Sequence, residues 1–282
     1  MNTANKRTDA AAPELPVNAP TFIDICFNLT HASFRKDEAE VLIRARAAGI
    51  NAMVVPGSSL ADSTDAVTLA QHHPDLLFPT AGTHPHLASD WHDDSREQLH
   101  ALIRRHAVVA VGECGLDYYR DFSPRARQLR AFEEQVEVSA ETGLPLFLHQ
   151  RDAHDDFIGV LRQSKAGNGV VHCFTGNRGE LEAYLELGLH IGITGWLCDE
   201  RRGAHLEELV AAIPDERLLL ETDAPYLLPR DLSPAVRPRD RRNEPAFVAH
   251  IGARVAACRG VPVTQIAHTT SANARRLFGL TA

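Results

Sequence analysis

Residues 107–149 read AVVAVGECGLDYYRDFSPRARQLRAFEEQVEVSAETGLPLFLH and contain one full unit of the pattern that decides the fold. A short apolar run leads into a polar turn, then into a stretch with helical periodicity, and then into a second apolar run. Ser123 followed by Pro124 is typical of a helix start, and Gly143 is typical of a helix end. The segment therefore predicts strand, helix and strand in succession, which is the unit of a parallel sheet.

The same alternation extends along the chain from Phe22. Eight short runs rich in Leu and β-branched residues are predicted as strands buried on both faces: 22–26, 51–55, 76–82, 107–113, 144–149, 169–173, 189–194 and 218–222. Helices are predicted from Ser33 as N-cap to Gly49, and at 123–143, 152–166, 177–187, 203–213, 245–258 and 262–278. Eight strands that alternate with helices predict an α/β fold of the (β/α)8 TIM-barrel type.

A doubly wound open sheet is the alternative fold. It would normally carry a glycine-rich phosphate loop after the first strand, and here that turn reads NLTHAS at 28–33. Residues 1–20 are rich in Ala, Pro and Asn without apolar periodicity, so we expect a flexible tail there. The remaining residues, 21–282, are expected to form a single barrel domain.

Composition gives expectations about the compartment. No apolar stretch is long enough to span a membrane, and the N-terminus lacks the apolar region of a secretory signal. The five cysteines include no CxxC pair, which predicts free thiols in a reducing compartment. We therefore expect a cytoplasmic protein without membrane partners, and we expect a monomer.

Polar side chains follow the predicted strands, where the active site of a barrel forms. They are Asn28, His84 and His86, Glu113, His149, His172 and Asp223. A single His after a strand is more often a hydrogen-bonded structural residue than a ligand. Two imidazoles and two carboxylates at four separate strand ends, however, form a ligand set suited to Zn²⁺, Mn²⁺ or Mg²⁺: Glu113, His149, His172 and Asp223. We expect Asp223 to accept a proton from metal-bound water, with His84 close to the developing charge.

Several longer strings make a family resemblance specific. FNLT, GTHPH, GECGLDYYRDFS, HQRDAH, HCFTG, GITGWLCDERRG, ETDAPYLLPRDL and RRNEP together resemble the TatD family of metal-dependent deoxyribonucleases, from Phe22 to the C-terminus. The resemblance implies a TIM barrel with divalent metal, Mg²⁺ first, and hydrolysis of DNA as a 3′-5′ exonuclease. It also implies action on RNA, a preference for single-stranded ends and a role in DNA repair. It places Glu113, His149, His172 and Asp223 at metal and catalytic positions, and His84 at a site-lining position.

One departure from the family pattern concerns the first strand. Much of the family carries His-x-His there, whereas this chain carries Cys26 and Asn28. Alternation places both side chains on the same side of the strand. Asn28 could coordinate metal weakly, hold water or contact substrate, and Cys26 is either a thiolate ligand or a core residue. The loss of two imidazoles argues against a permanently filled two-metal site.

The chain has a net charge of −8, so a nucleic-acid site must be locally basic. The segment from Arg230 to Arg242 holds five arginines. We expect phosphate contacts from Arg237, Arg239, Arg241 and Arg242. The alternative is a solvated loop whose arginines pair with acidic neighbours such as Glu244. Aromatic residues near strand ends could stack on bases or simply pack: Tyr118, Tyr119 and Trp196.

Three functions compete on these residues. The first is a metal-dependent nuclease acting on DNA and RNA. The second is a barrel amidohydrolase acting on a small amide or ester. Such enzymes commonly keep the first-strand His pair and often use a carbamylated Lys, and no Lys occupies a predicted strand end here. The third is a non-catalytic binding protein, but Glu113 and Asp223 argue against it, because a binding module needs no positioned base.

Overall fold

The computed structural model describes residues 20–164 and 167–280. The predicted tail therefore lies outside the described residues except for Pro20. In the described chain, eight parallel strands form one sheet in which each strand pairs with the next in sequence. The strands are β1 (Phe22–Asp24), β2 (Ile50–Val55), β3 (Leu77–Ala81), β4 (Ala110–Asp117), β5 (Leu146–Arg151), β6 (Gly169–Val171), β7 (His190–Ile193) and β8 (Leu218–Leu220).

Helices connect successive strands and lie outside the sheet. They are α1 (Glu38–Ala47), α2 (Leu60–His72), α3 (Ser95–Arg105), α4 (Arg125–Thr142), α5 (His154–Gln163), α6 (Arg178–Glu186), α7 (Leu206–Ala212), α8 (Val248–Arg259) and α9 (Val263–Phe278). Short 3₁₀ turns occur at Pro85–Asp90, Gly195–Cys198, Asp215–Arg217 and Pro245–Phe247. Each strand thus reaches its parallel neighbour through a helical crossover, as parallel pairing requires.

The sheet closes on itself between its first and last strands. Three backbone hydrogen bonds join them: Ile25 N–H to the Leu220 carbonyl (3.1 Å), Asp223 N–H to the Cys26 carbonyl (3.0 Å) and Asn28 N–H to the Ala224 carbonyl (3.0 Å). An open doubly wound sheet has no such contact between first and last strands. The prediction of a (β/α)8 barrel is therefore confirmed.

The two faces of the strands fill two different apolar layers. Alternate residues point outward against the helices, as Met53 and Leu148 do. The neighbouring residues along the same strands, such as Val54 and Phe147, point inward and form a second cluster inside the barrel. The end of α9 closes this cluster, where the Phe147 and Phe278 ring centroids lie 6.4 Å apart. Because the interior is filled at this end, space for a ligand remains at the carboxyl ends of the strands.

Two predicted helix starts are wrong, because other contacts occupy the side chains expected to cap them. Helix α1 begins at Glu38, and the Ser33 hydroxyl lies 2.9 Å from His31 Nδ1. Helix α4 begins after Pro124, so Ser123 lies one residue too early, and its hydroxyl donates to the His86 carbonyl (2.9 Å). Ser side chains readily bond to nearby backbone in non-helical conformations, which weakens them as boundary markers.

Strands β4 and β5 extend past the ends expected from sequence, to Asp117 and Arg151. Glu113 and His149 are therefore fixed within paired strands. Gly115, which pairs with His149, has a φ of +140°, and a Cβ there would collide with the His149 carbonyl. Glycine thus allows β4 and β5 to approach closely between Glu113 and Asp117.

A buried carboxylate lies at the seam between β1 and the end of β8. Asp24 is fully buried and accepts hydrogen bonds from the backbone N–H groups of Thr222 (2.9 Å) and Cys26 (3.1 Å). Its second oxygen accepts from the Thr222 hydroxyl (2.5 Å). Burial outweighs these bonds and raises the pKa of Asp24 to about 8. The seam is therefore bridged by a side chain that holds a proton near neutral pH.

Asp24→Asn should make stability less dependent on pH. Above the ordinary Asp pKa and up to about 8, the folded wild type keeps a proton that the unfolded chain has lost, so its free energy of unfolding falls as pH rises. The expected slope is at most about 1.4 kcal/mol per pH unit. Asn keeps an oxygen for both N–H donors and does not titrate. Urea unfolding of both proteins between about pH 5 and about pH 8 measures the difference; parallel curves would contradict it.

Candidate metal centre and active site

The carboxyl ends of the strands surround a cavity of ≈ 1270 Å³. Every residue that the sequence predicts as a metal ligand or catalytic group lines it: His84, Glu113, His149, His172 and Asp223. Asn28 lines it as well. The structure therefore brings side chains from six strand ends to one place, as expected for the active-site face of a barrel.

Glu113 lies at the centre of this group. Three imidazole nitrogens surround its Oε1 atom: His84 Nε2 at 3.2 Å, His149 Nδ1 at 3.2 Å and His172 Nε2 at 2.8 Å. The Glu113 side chain is 8% exposed. A buried carboxylate needs charged or hydrogen-bonding partners to offset its lost hydration, and here the imidazoles supply them.

Asp117 holds His149 from the side away from Glu113. His149 Nε2 lies 3.3 Å from Asp117 Oδ2, and His86 Nε2 lies 2.7 Å from the same oxygen. The other Asp117 oxygen accepts the N–H groups of Tyr119 (3.0 Å) and Arg120 (2.8 Å). Because Asp117 is anchored by backbone, it fixes the orientation of the His149 ring.

Glu221 holds His172 in the same way. His172 Nδ1 lies 3.2 Å from Glu221 Oε2, and Glu221 Oε1 accepts the Cys173 N–H (2.5 Å). Glu221 is fully buried, and a Cβ at Gly192 would collide with its carboxylate. A carboxylate behind each ligand histidine sets ring orientation and raises the basicity of the ligand nitrogen.

Sequence reasoning missed both of these carboxylates. Each is separated from a predicted residue by an even number of positions: Asp117 lies four residues after Glu113, and Glu221 lies two before Asp223. In a strand, this spacing places side chains on the same face. Period-two spacing around each candidate is therefore the signal that could have found them.

Both ring nitrogens of His149 and of His172 contact carboxylates: His149 lies between Asp117 and Glu113, and His172 lies between Glu221 and Glu113. Neutral rings that donate to Asp117 and Glu221 present Nδ1 of His149 and Nε2 of His172 to a cation beside Glu113. In His84, by contrast, Nδ1 accepts the His86 N–H (3.0 Å), so the neutral ring carries its proton on Nε2. His84 therefore presents a hydrogen-bond donor to Glu113 rather than a ligand lone pair.

The pKa shifts also distinguish His84 from His149 and His172. Burial lowers the pKa of His84 to about 4, which keeps it neutral. Burial acts in the same direction on His149 and His172, but their carboxylate partners raise the pKa of both rings. Burial opposes ionisation of Glu113, yet the positive charge of His172 and the hydrogen bonds from His149 and His172 lower its pKa well below the ordinary value.

Asp223 lies at the β1 side of the cavity. Its Oδ1 accepts a hydrogen bond from Asn28 Nδ2 (3.0 Å) and lies 3.6 Å from Cys26 Sγ. Cys26 and Asn28 therefore face the same group, as alternation predicts. Asn28 also donates to the Ala224 carbonyl (3.1 Å), so its amide positions Asp223. Burial raises the pKa of Asp223 to about 6.

The donor atoms fit a divalent cation. Ligand atoms of Glu113 and His149 lie within 4.8 Å of each other and of His84, which serves as a donor, and His172 adjoins the same Glu113 oxygen. Buried imidazole and carboxylate donors at this spacing suit Zn²⁺, Mn²⁺ or Mg²⁺. Asp223 does not belong to any such group among the described residues, since its nearest polar partners are Asn28 and Cys26.

The arginine-rich segment after β8 is not brought into the cavity. Arg237 donates to the carbonyls of Arg230 and Leu232 (both 2.7 Å), which closes the segment on itself. Arg242 pairs with Asp37 (2.6 Å) and Glu244 (3.1 Å). Exposed Arg239 and Arg241 also do not line the cavity. For Arg242, the structure therefore agrees with the alternative in which an arginine of this segment pairs with acidic neighbours.

Three other arginines line the cavity, and each lies over an aromatic ring: Arg120 and Arg151 over Tyr119, and Arg202 over Trp196. The Arg151 guanidinium carbon is 4.0 Å from the Tyr119 ring centroid, and that of Arg202 is 4.3 Å from the Trp196 ring centroid. Tyr119 is 58% exposed. Tyr118, in contrast, donates its hydroxyl to Asp156 (2.7 Å) and does not line the cavity. The rim thus offers two sites with paired positive charge and aromatic surface.

Comparison with known proteins identifies the family of this chain. A family model described as TatD related DNase matches residues 23–279. The chain belongs to the TatD-related DNase family. Membership confirms the resemblance seen in the sequence motifs and makes the protein a hydrolase of the nuclease class. Of the three competing functions, it supports the first.

Individual relatives extend this result. A protein of Edwardsiella piscicida named 3′-5′ ssDNA/RNA exonuclease TatD is 52% identical over 260 residues, covering 92% of this chain and 99% of that protein. The crystal structure of a TatD homologue from Escherichia coli K12 has a TM-score of 0.84 at 31% identity and covers 92% of this chain and 98% of its own. A hydrolase of the TatD family from Entamoeba histolytica has the same TM-score at 26% identity, with 93% and 99% coverage.

The length and the apolar character of a helix decide whether it can cross a bilayer. Over residues 20–164 and 167–280, none of the helices combines the length and the apolar character that crossing a bilayer requires.

Proposed function

We propose that the protein hydrolyses single-stranded DNA and RNA from the 3′ end with a divalent cation, Mg²⁺ first, with Mn²⁺ or Zn²⁺ as alternatives. The observation that carries the proposal is the convergence of three imidazoles on one buried oxygen of Glu113. It occurs in a chain that shares 52% identity with a relative named for this activity.

The ligand residues in this proposal are Glu113, His149 and His172, and Asp223 is either a fourth ligand or the base. When bound, the cation lowers the pKa of a coordinated water and offsets the negative charge of the phosphate. Asp117 and Glu221 hold the two ligand rings in place. His84 donates from Nε2, and so it supports a nonbridging phosphate oxygen as charge develops.

Asp223 is the residue placed to take the proton of the attacking water. Its pKa of about 6 suits a base near neutral pH, since it is ionised there and still binds a proton well. Asn28 donates to Oδ1, which leaves Oδ2 for the water. The alternative role is metal ligation alone.

Asp223→Asn distinguishes the two roles, because it keeps the shape and removes the base. If Asp223 is the base, kcat should fall by roughly 10²-fold or more while metal and DNA affinities stay near wild type. Stopped assays on single-stranded DNA across a metal titration measure both quantities. Full kcat at saturating metal combined with weakened metal binding would assign Asp223 as a ligand only.

The activity itself is tested on labelled oligonucleotides. A 5′-labelled single strand should shorten progressively from its 3′ end in Mg²⁺, excess EDTA should stop the reaction, and restored Mg²⁺ should recover it. Glu113→Ala should be inactive but folded, because it removes the centre of the ligand group. Closed circular single-stranded DNA is the control, since it has no end. Its efficient cleavage would contradict an exonuclease, and full activity in EDTA would contradict metal dependence.

The cavity rim supplies the nucleic-acid contacts in this proposal. Arg151 and Arg202 present positive charge over the rings of exposed Tyr119 and half-buried Trp196. Stacking on an aromatic ring is tolerant of sequence, because every base has a π-face, and arginine adds a phosphate contact. Such sites recognise an unpaired strand rather than a duplex, whose bases are already stacked.

Arg151→Ala and Arg202→Ala should each weaken binding of single-stranded DNA and lower the slope of log affinity against log salt by about 0.7. Binding is measured in EDTA, by fluorescence anisotropy at several salt concentrations. The double variant Arg239→Ala/Arg241→Ala is the matched control, since it removes exposed arginines outside the cavity. If only the Arg239→Ala/Arg241→Ala variant lowered the salt slope, the phosphate contacts would lie in the arginine-rich segment and not at the cavity rim.

The setting of the activity belongs to the same proposal. All five cysteines are described and are free thiols, which supports a reducing compartment such as the cytoplasm. We propose that the enzyme works there as a monomer and that it contributes to DNA repair, where single-stranded 3′ ends need removal.

A further inference from the structure

A second cluster of metal-ligating side chains lies outside the cavity. Cys198 ends the 3₁₀ turn after β7, Asp231 lies in the segment after β8, and His250 lies in the first turn of α8. One ligand atom from each lies within 4.8 Å of the other two. His250 Nε2 is 2.7 Å from Asp231 Oδ1. None of the three lines the cavity that holds Glu113.

We propose that Cys198, Asp231 and His250 bind a divalent cation of the Zn²⁺ class, separate from the catalytic centre. Sulfur, imidazole nitrogen and carboxylate oxygen are the three donor types that Zn²⁺ takes in proteins. With Zn–ligand lengths of about 2.0–2.3 Å, the donors of a tetrahedral site lie about 3.3–3.8 Å apart. His250 Nε2 and Asp231 Oδ1 lie closer than this, and all three ligand atoms lie within 4.8 Å of one another, so side-chain rotations that separate this pair make room for the cation.

The thiol sets the kind of cation. Mg²⁺ and Ca²⁺ prefer oxygen donors, whereas a thiolate selects softer ions such as Zn²⁺. The cluster therefore differs in chemistry from the group around Glu113, which offers oxygen and nitrogen. A bound cation displaces the thiol proton, since the thiolate is the form that coordinates.

Access to the cluster is open on one side only. The Cys198 residue is 3% exposed, whereas the His250 and Asp231 side chains are 35% and 32% exposed. A cation can therefore enter from solvent and keep water in its fourth position, with the sulfur at the buried side. This arrangement predicts an exchangeable site rather than a closed structural one.

The site would join three segments near the cavity rim. Helix α8 already packs against the turn Gly195–Cys198. That turn also carries Trp196, whose ring lies under Arg202 at the cavity. A cation bound to Cys198 would tie this turn to the segment after β8 and to α8. The bound cation would therefore restrict the motion of the turn that carries Trp196.

Cobalt titration of the full chain tests the proposal. Co²⁺ replaces Zn²⁺ and gives a thiolate charge-transfer band in the near ultraviolet only where a sulfur coordinates. Wild type should show this band and should bind one more equivalent of Zn²⁺ than Cys198→Ser, as measured by elemental analysis after gel filtration. Absence of the band in wild type, or its survival in Cys198→Ser, would overturn the proposal.

Three further variants separate this site from other thiols. Cys258→Ser is the matched control, because Cys258 lies on α8 two turns from His250 but outside the cluster, so the band should remain. Cys26→Ser should also keep the band, because Cys26 is buried beside Asp223 and lies outside the cluster. If Cys198→Ser fails to fold by circular dichroism, His250→Gln serves instead and should weaken Co²⁺ binding by more than about tenfold. Unchanged affinity in a folded His250→Gln would overturn the proposal as well.

Discussion

The buried carboxylate of Glu113 is the group on which the site depends. Placed in β4 and largely removed from water, it would be costly to ionise without nearby positive charge. Three imidazoles meet its Oε1, and two of them carry a carboxylate, Asp117 or Glu221, on the opposite side. Layers of carboxylate, imidazole and carboxylate hold the rings in fixed orientations. The same layers present ligand nitrogens toward one point, so the arrangement that compensates Glu113 also prepares a cation site.

The barrel makes this layering possible because the groups come from paired strands. Glu113 and His149 belong to β4 and β5, which stay hydrogen-bonded beyond both residues and meet closely at Gly115. His172 and Glu221 lie just after β6 and β8, and the missing side chain of Gly192 in β7 leaves room between them. Side chains held at the ends of rigid strands need little reorganisation when a ligand binds.

Strand spacing explains what could be predicted from the sequence. Apolar runs located the strands, and polar residues at the carboxyl ends of those runs pointed to Glu113, His149, His172 and Asp223. The same rule passed over Asp117 and Glu221, because one follows another candidate in the same strand and the other precedes one. Clustered arginines suggested phosphate binding, yet Arg242 pairs with Asp37 across more than two hundred positions of sequence, a contact that composition cannot reveal. Local patterns therefore predict which face a residue occupies, whereas partners distant in sequence decide its role.

Replacement of the first-strand histidines changes the character of one side of the site. Around Glu113 the donors are imidazoles, which bind a cation firmly. Around Asp223 the neighbours are Asn28, which donates a hydrogen bond to its carboxylate, and the protonated thiol of Cys26, whose pKa burial raises well above the ordinary value. Among the described residues, no imidazole is hydrogen-bonded to Asp223, so this carboxylate and its amide donor offer a second cation few ligands. The Asp223 carboxylate still offers a proton acceptor beside the first cation. In the function proposed above, this asymmetry suits a cation held near Glu113, with Asp223 available as the proton acceptor.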